Sequence, residues 1–139
     1  MIIQEIQEEI VDEFSMFDDW MERYEYIIEL GKGLPLIDDQ YKTEDNIIKG
    51  CQSKVWVHAE QNGDKIVFTA DSDAILTKGI IAILIRAFSN QKAADILEAN
   101  TDFIDKIGLK EHLSPTRANG LVSMIKKIKM YALAFNAKK

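Results

Sequence analysis

The sequence predicts an α+β domain in which a small antiparallel β-sheet of about three strands packs against flanking helices. Three observations predict it. Apolar residues recur at steps of three and four over the first thirty or so positions, and again from Ala74 onward. Between these stretches, over residues 55–70, the period falls to two. An Asn62-Gly63 pair interrupts the alternating stretch, as a tight hairpin requires. The length of 139 residues and the 47% hydrophobic content suit one domain spanning 1–139.

The first helix is expected from Ile2, Ile6, Ile10, Phe14 and Phe17, which share one face. The second begins at the N-cap Asp19, with Glu22 completing a capping box. It continues through Trp20, Tyr24, Ile27 and Ile28 and stops at Gly31-Lys32-Gly33, ahead of Pro35. Residues 34–50 show no periodicity. A connection this long within a compact domain tends to be functional, and this one leads into Gly50-Cys51. Val55, Val57 and Ala59 then form the inward face of a strand, and Ile66, Phe68 and Ala70 that of its return, across a type I′ turn at Asn62-Gly63. A lone hairpin is marginal in water, so a third strand is expected, most simply from residues 46–49. Asp71-Ser72-Asp73 reads as the cap of an apolar helix over 74–88. Short helices are expected over 91–98 and 102–107, the second ending at Gly108. Ser114 and Pro115 open the last helix as N-cap and first helical residue. Leu121, Ile125, Ile128, Ala132 and Phe135 are its buried stripe.

Composition excludes several functions. Cys51 is the only cysteine, which rules out an internal disulfide framework. With His58 and His112 it cannot complete the usual ligand sets for zinc or an iron–sulfur cluster, so no metal is expected. No segment resembles a cofactor-binding lysine site, so no resident cofactor is expected. The acidic, periodic start is unlike a secretory signal. The longest apolar run, over residues 79–87, is broken by Arg86 and falls far short of the ~18 residues of a membrane span. No membrane is implied, and a cytoplasmic location is expected. Net charge is −6 overall but −10 over residues 1–50 and +5 over 101–139. The basic end (Lys126, Lys127, Lys129, Lys138, Lys139) lacks interleaved aromatics outside the apolar stripe. It reads as a solvated helix face, not a nucleic-acid surface.

Cys51 is the one strong nucleophile by type. A free cysteine often serves as a small core hydrophobe, which would make the chain a plain interaction module. Here, however, Cys51 follows a glycine at the end of a loop and precedes polar Gln52 and Ser53. A Cys–His hydrolase is the other alternative, and it needs an imidazole within reach. His58 lies seven residues along a strand, roughly 20 Å away, and the position of His112 cannot be read from spacing.

Gly50-Cys51-Gln52-Ser53-Lys54-Val55-Trp56 resembles the GCQSxVW signature of the SufE family. Ala70-Asp71-Ser72-Asp73-Ala74 with Lys78-Gly79 is similar to a second family motif. His112-Leu113-Ser114-Pro115-Thr116-Arg117 with Gly120-Leu121 is similar to a third, with Thr116 where serine is usual. Trp20, Tyr24 and residues 27–31 match the early helical region. The resemblance implies a SufE/IscU-like fold and a sulfur-transfer partner protein rather than a free-standing enzyme. It implies that Cys51 accepts persulfide sulfur from a SufS-type cysteine desulfurase, whose turnover the chain activates. A SufBCD-type scaffold for iron–sulfur cluster assembly would be the recipient. Pyridoxal phosphate would belong to the desulfurase. Gly50, Gln52, Ser53, Asp73 and Arg117 are the implied partner-binding residues. The family also implies a thiol turned inward until the partner docks. A CsdE-type carrier with a different desulfurase, and a homodimer as against a monomer, stay open at this point.

Overall fold

The structure, a computed structural model, describes residues 2–137; Lys138 and Lys139 of the basic end lie outside them. Two helices come first, α1 (Ile3–Phe14) and α2 (Trp20–Gly31), and a one-turn 3-10 segment follows at Asp39–Tyr41. The hairpin of β1 (Val55–Asn62) and β2 (Lys65–Ser72) leads into α3 (Ile75–Phe88). A short β3 (Gln91–Lys92), the short helices α4 (Ala93–Glu98), α5 (Asp102–Lys106) and α6 (Leu109–His112), and the long α7 (Pro115–Ala137) complete the chain. The sheet is antiparallel in the order β1-β2-β3, and helices flank it, as the α+β reading requires.

Alternation decides the inner face of the sheet. Val55, Val57, Ala59, Ile66, Phe68 and Ala70 are all buried, five of them at 1% exposure or less. The third strand differs from the expectation. It is β3, on the far edge of β2, where Lys65 and Ile66 pair with Lys92 and Gln91. Asn90, at φ +60, turns the chain so that its N–H donates to the Ile66 carbonyl at 2.7 Å. Residues 46–49 reach the outer edge of β1 but make one bridge only, Ile47 to Trp56. Turns on either side, at residues 43–46 and at Gly50 (φ +93), leave no room for a longer ladder. The hairpin turn is also displaced by one residue. Asn62 pairs with Lys65, so Gly63 and Asp64 are the turn. Positive φ at Gly63 alone fits the II′ pattern rather than I′.

The helices shift in smaller ways. On α1 the inward residues are Ile3, Gln7, Ile10 and Phe14, while Ile2 is 60% exposed. Gln7 breaks the apolar pattern but is satisfied, its Nε2 donating to the Asn100 carbonyl at 2.9 Å. The N-cap of α3 is Ala74, not the acidic cluster before it. A third short helix, α6, follows Gly108, whose φ is +86. On α7, Gly120 and Met124 join the buried stripe, while Ile125 and Phe135 are half-buried.

Helix α3 lies at the centre. Ten of its fourteen residues are buried, and it packs against α1, α2, α7 and β2. Its approach to α2 needs glycine. A Cβ at Gly79 would sit 2.1 Å from the Ile27 carbonyl oxygen, and one at Gly31 would sit 2.9 Å from the Gly79 nitrogen. Arg86, at the other end of α3, donates to Glu9 and Glu13 of α1 and holds the Glu13 carboxyl below its usual range. Gly79→Ala is expected to destabilise the protein by about 3 kcal/mol, because the backbones must separate to admit the methyl. Gly33→Ala, with its nearest neighbour at 3.7 Å, should stay within about 0.5 kcal/mol of wild type. Urea unfolding of the two variants measures both.

Candidate functional site

The loop before β1 is laid on α7. Lys127 Nζ donates to the Asp45 carbonyl at 2.9 Å, and the Tyr131 hydroxyl sits between Asn46 Oδ1 (2.7 Å) and the Val57 carbonyl (2.9 Å). Gly50 is the hinge. Its φ of +93 disfavours any side chain, and a Cβ there would meet Ser123 Oγ of α7 at 2.7 Å. Four residues on, at Lys54, the other end of the loop is clamped by Asp73. The Lys54 N–H donates to Asp73 Oδ1 at 3.0 Å, and the Asp73 N–H donates to the Lys54 carbonyl at 3.2 Å.

Cys51 is suspended between these two anchors. Its thiol donates to the Gly120 carbonyl at 3.6 Å, and a Cβ on residue 120 would lie 3.2 Å from Sγ. Gly120 is therefore a notch in α7 that admits the sulfur. A cavity of about 270 Å³ opens beside it. The loop supplies Cys51, Gln52 and Ser53 to its wall, α3 supplies Thr77 and Ile80, and the start of α7 supplies Thr116 and Arg117. Cys51 is half-buried, and burial pushes its thiol pKa up. The carbonyl contact also favours the protonated form. The resting site thus holds a neutral, sheltered thiol.

Four of the residues that the resemblance implies, Cys51, Gln52, Ser53 and Arg117, line this one cavity. Gly50 shapes the loop from outside the cavity wall. Asp73 is not on the wall, and one of its carboxylate oxygens is committed to the Lys54 backbone. Neither histidine lines the cavity. His58 stacks on Tyr41 with ring centroids 3.7 Å apart, and His112 stacks on Trp20 at 4.3 Å with Nδ1 2.9 Å from the Gly108 carbonyl oxygen. The Cys–His hydrolase arrangement is absent among the described residues. Thr77 and Gly120 fall outside the apolar pattern by residue type. An isolated glycine within a helical pattern was the available signal for the second. Among the described residues, no three His, Cys, Asp or Glu side chains gather as a metal-binding group, and no helix is long and apolar enough to cross a membrane.

Fold and site define a small α+β protein that presents one sheltered cysteine on a loop hinged by glycine. The chain belongs to the SufE family: the family described as "SufE: Fe-S metabolism associated domain" matches residues 8–132. The chain is 42% identical over 130 residues to an uncharacterized SufE-like protein of Rhizobium meliloti, covering 90% of this chain and 93% of that one. It is 40% identical to an uncharacterized SufE-like protein of Rhizobium etli, over 88% and 86% of the two chains. It is 39% identical to the chloroplastic/mitochondrial SufE-like protein 1 of Arabidopsis thaliana, covering 94% of this chain but 36% of that longer protein. The solution structure of a hypothetical protein from Thermus thermophilus shares the fold, with a TM-score of 0.77 at 19% identity over 93% and 94% of the chains. Membership places the chain in iron–sulfur metabolism, in a sulfur-handling role.

The raised thiol pKa has a direct readout. Alkylation of Cys51 by iodoacetamide in the folded protein should be slower at pH 7 than in urea, and should rise with pH to a midpoint above the ordinary thiol value of about 8.5. A midpoint at or below that value would contradict the neutral resting thiol.

Proposed function

We propose that this protein is a sulfur carrier that binds and activates a SufS-type, pyridoxal-phosphate-dependent cysteine desulfurase. It takes persulfide sulfur onto Cys51 and passes it to a SufBCD-type scaffold. The observation that supports this best is the suspended thiol: one cysteine, held between Gly50 and Asp73, beside a cavity with room for more sulfur.

In the proposed reaction the Cys51 thiolate attacks the outer sulfur of the desulfurase persulfide. A sulfur–sulfur bond forms at Cys51, the partner's sulfur–sulfur bond breaks, and the partner's cysteine leaves as thiolate. The neutral resting thiol keeps this slow until docking draws Sγ off the Gly120 carbonyl. With no second cysteine in the chain, the product cannot collapse into an internal disulfide. Gln52 and Ser53 lie beside Cys51 on the face a partner would meet. Arg117 is exposed, and its guanidinium is unpaired among the described residues, so it is free to meet an acidic group or the thiolate. Its place in the first turn of α7 is unfavourable for a cation by about 0.3–1 kcal/mol, which favours a use other than stability. Asp73 contributes by holding the loop.

The test uses a SufS-type desulfurase with L-cysteine. Wild-type protein should raise its turnover and Cys51→Ser should not, although the serine variant should fold. Arg117→Ala should lower the rate of Cys51 persulfidation several-fold while stability stays within about 0.5 kcal/mol of wild type. Equal stimulation by wild type and Cys51→Ser would overturn the carrier reading.

A further inference from the structure

The hydroxyl of Thr77 is unspent. Thr77 lies in the first turn of α3, is 6% exposed and lines the Cys51 cavity. Among the described residues it has no hydrogen-bond partner. Its oxygen is nevertheless not sealed within the protein, so it opens on the cavity. Buried hydroxyls are ordinarily paired, and an unpaired one calls for a ligand or a strain argument. The backbone around it shares the same bias. Ala74 offers no side-chain acceptor to the first turn of this fourteen-residue helix, so its leading N–H groups lack a cap. The first turn of α7 lines the same cavity through Thr116 and Arg117. First-turn residues of two helices therefore border one space, and a helix start carries about half a positive charge.

The charged groups around this space are few. Arg117 is the charged side chain on the wall, and no acid lines it. Lys54 and Asp73 stand at the outer end of the loop, and Lys49 precedes Gly50 on the approach. On α3, Lys78 is directed to Asp71 at 3.5 Å.

The empty thiol touches an acceptor, the Gly120 carbonyl. A persulfide would carry its outer sulfur about 2 Å further on, away from that carbonyl and into space bounded by donors. We infer that the cavity is an anion cradle for the Cys51 perthiolate, with the Thr77 hydroxyl donating to the outer sulfur beside the start of α3 and Arg117 closing the mouth. The perthiol releases its proton to solvent and no other bond changes. The same pocket then keeps the unloaded cysteine neutral and holds the loaded one as an anion, whose charge shields the outer sulfur from stray thiolates until it is reprotonated for transfer.

This inference rests on the carrier reading for its cargo, so its test loads Cys51 without a desulfurase. With inorganic polysulfide, the Cys51 thiolate attacks a terminal sulfur and the shortened polysulfide leaves. After desalting, alkylation of the persulfide by iodoacetamide is followed against pH by mass spectrometry, beside glutathione persulfide. The wild-type midpoint should lie below that of glutathione persulfide. Thr77→Val should raise it by about one unit, a tenfold fall in the acid dissociation constant, and Thr77→Ser should restore it. Coincident midpoints for wild type and Thr77→Val would overturn the cradle. So would a wild-type midpoint at or above that of glutathione persulfide, a result that needs no variant to fold. Low midpoints in a protein that takes no sulfur from a desulfurase would support the cradle while removing the carrier reading.

Discussion

The close approach of α2 and α3 is the constraint on which the rest depends. At Gly79 the backbones meet where no Cβ fits, 2.1 Å from the Ile27 carbonyl oxygen. This contact lets α3 sink into the centre of the molecule, with Ile80, Ile81, Ile83 and Leu84 at 1% exposure or less. Each such side chain contributes about 1.5–3 kcal/mol on burial, so the gain from the whole helix far exceeds the cost of two glycines. The same placement has a chemical consequence. Thr77 and Ile80, two residues before and one after Gly79, become a wall of the Cys51 cavity. A core packing decision and a site geometry are therefore one event.

Reactivity at Cys51 is governed by opposing pressures. Burial and the Gly120 carbonyl hold the proton on sulfur. The starts of α3 and α7 and the Arg117 guanidinium offer stabilisation to a negative charge placed slightly further out. A sheltered neutral thiol is a poor target for oxidants, because oxidation follows thiolate character and access. The loop that holds it is pinned by Gly50 against Ser123 and by Asp73 against Lys54. These contacts lie outside the hydrophobic core.

Much of this was legible in the sequence wherever burial followed a simple period. The inward residues of β1 and β2, the extent of α2 and the start of α7 at Pro115 were read correctly because apolar spacing and caps agreed. The third strand was misplaced because β3 has two residues, too few to show a period, and depends on the positive φ of Asn90. The buried face of α1 was misread because Gln7 occupies an apolar slot and is satisfied by Asn100, 93 residues away. At the site, motif resemblance singled out Cys51 and its neighbours, and family membership bears out the resemblance. It did not show that Asp73 serves the Lys54 backbone, that Gly120 is a notch, or that Thr77 lines the cavity beside Cys51. Those are facts of tertiary contact that no local pattern encodes.

The central claim is that Cys51 is the atom that receives sulfur, and intact-mass measurement tests it most directly. The protein is incubated with a SufS-type desulfurase and L-cysteine, separated without reductant, and weighed. The account predicts a gain of one or more sulfur atoms, located by fragmentation at Cys51 and absent from Cys51→Ser. An unchanged mass under conditions where the desulfurase is turning over, or the same gain in Cys51→Ser, would contradict it.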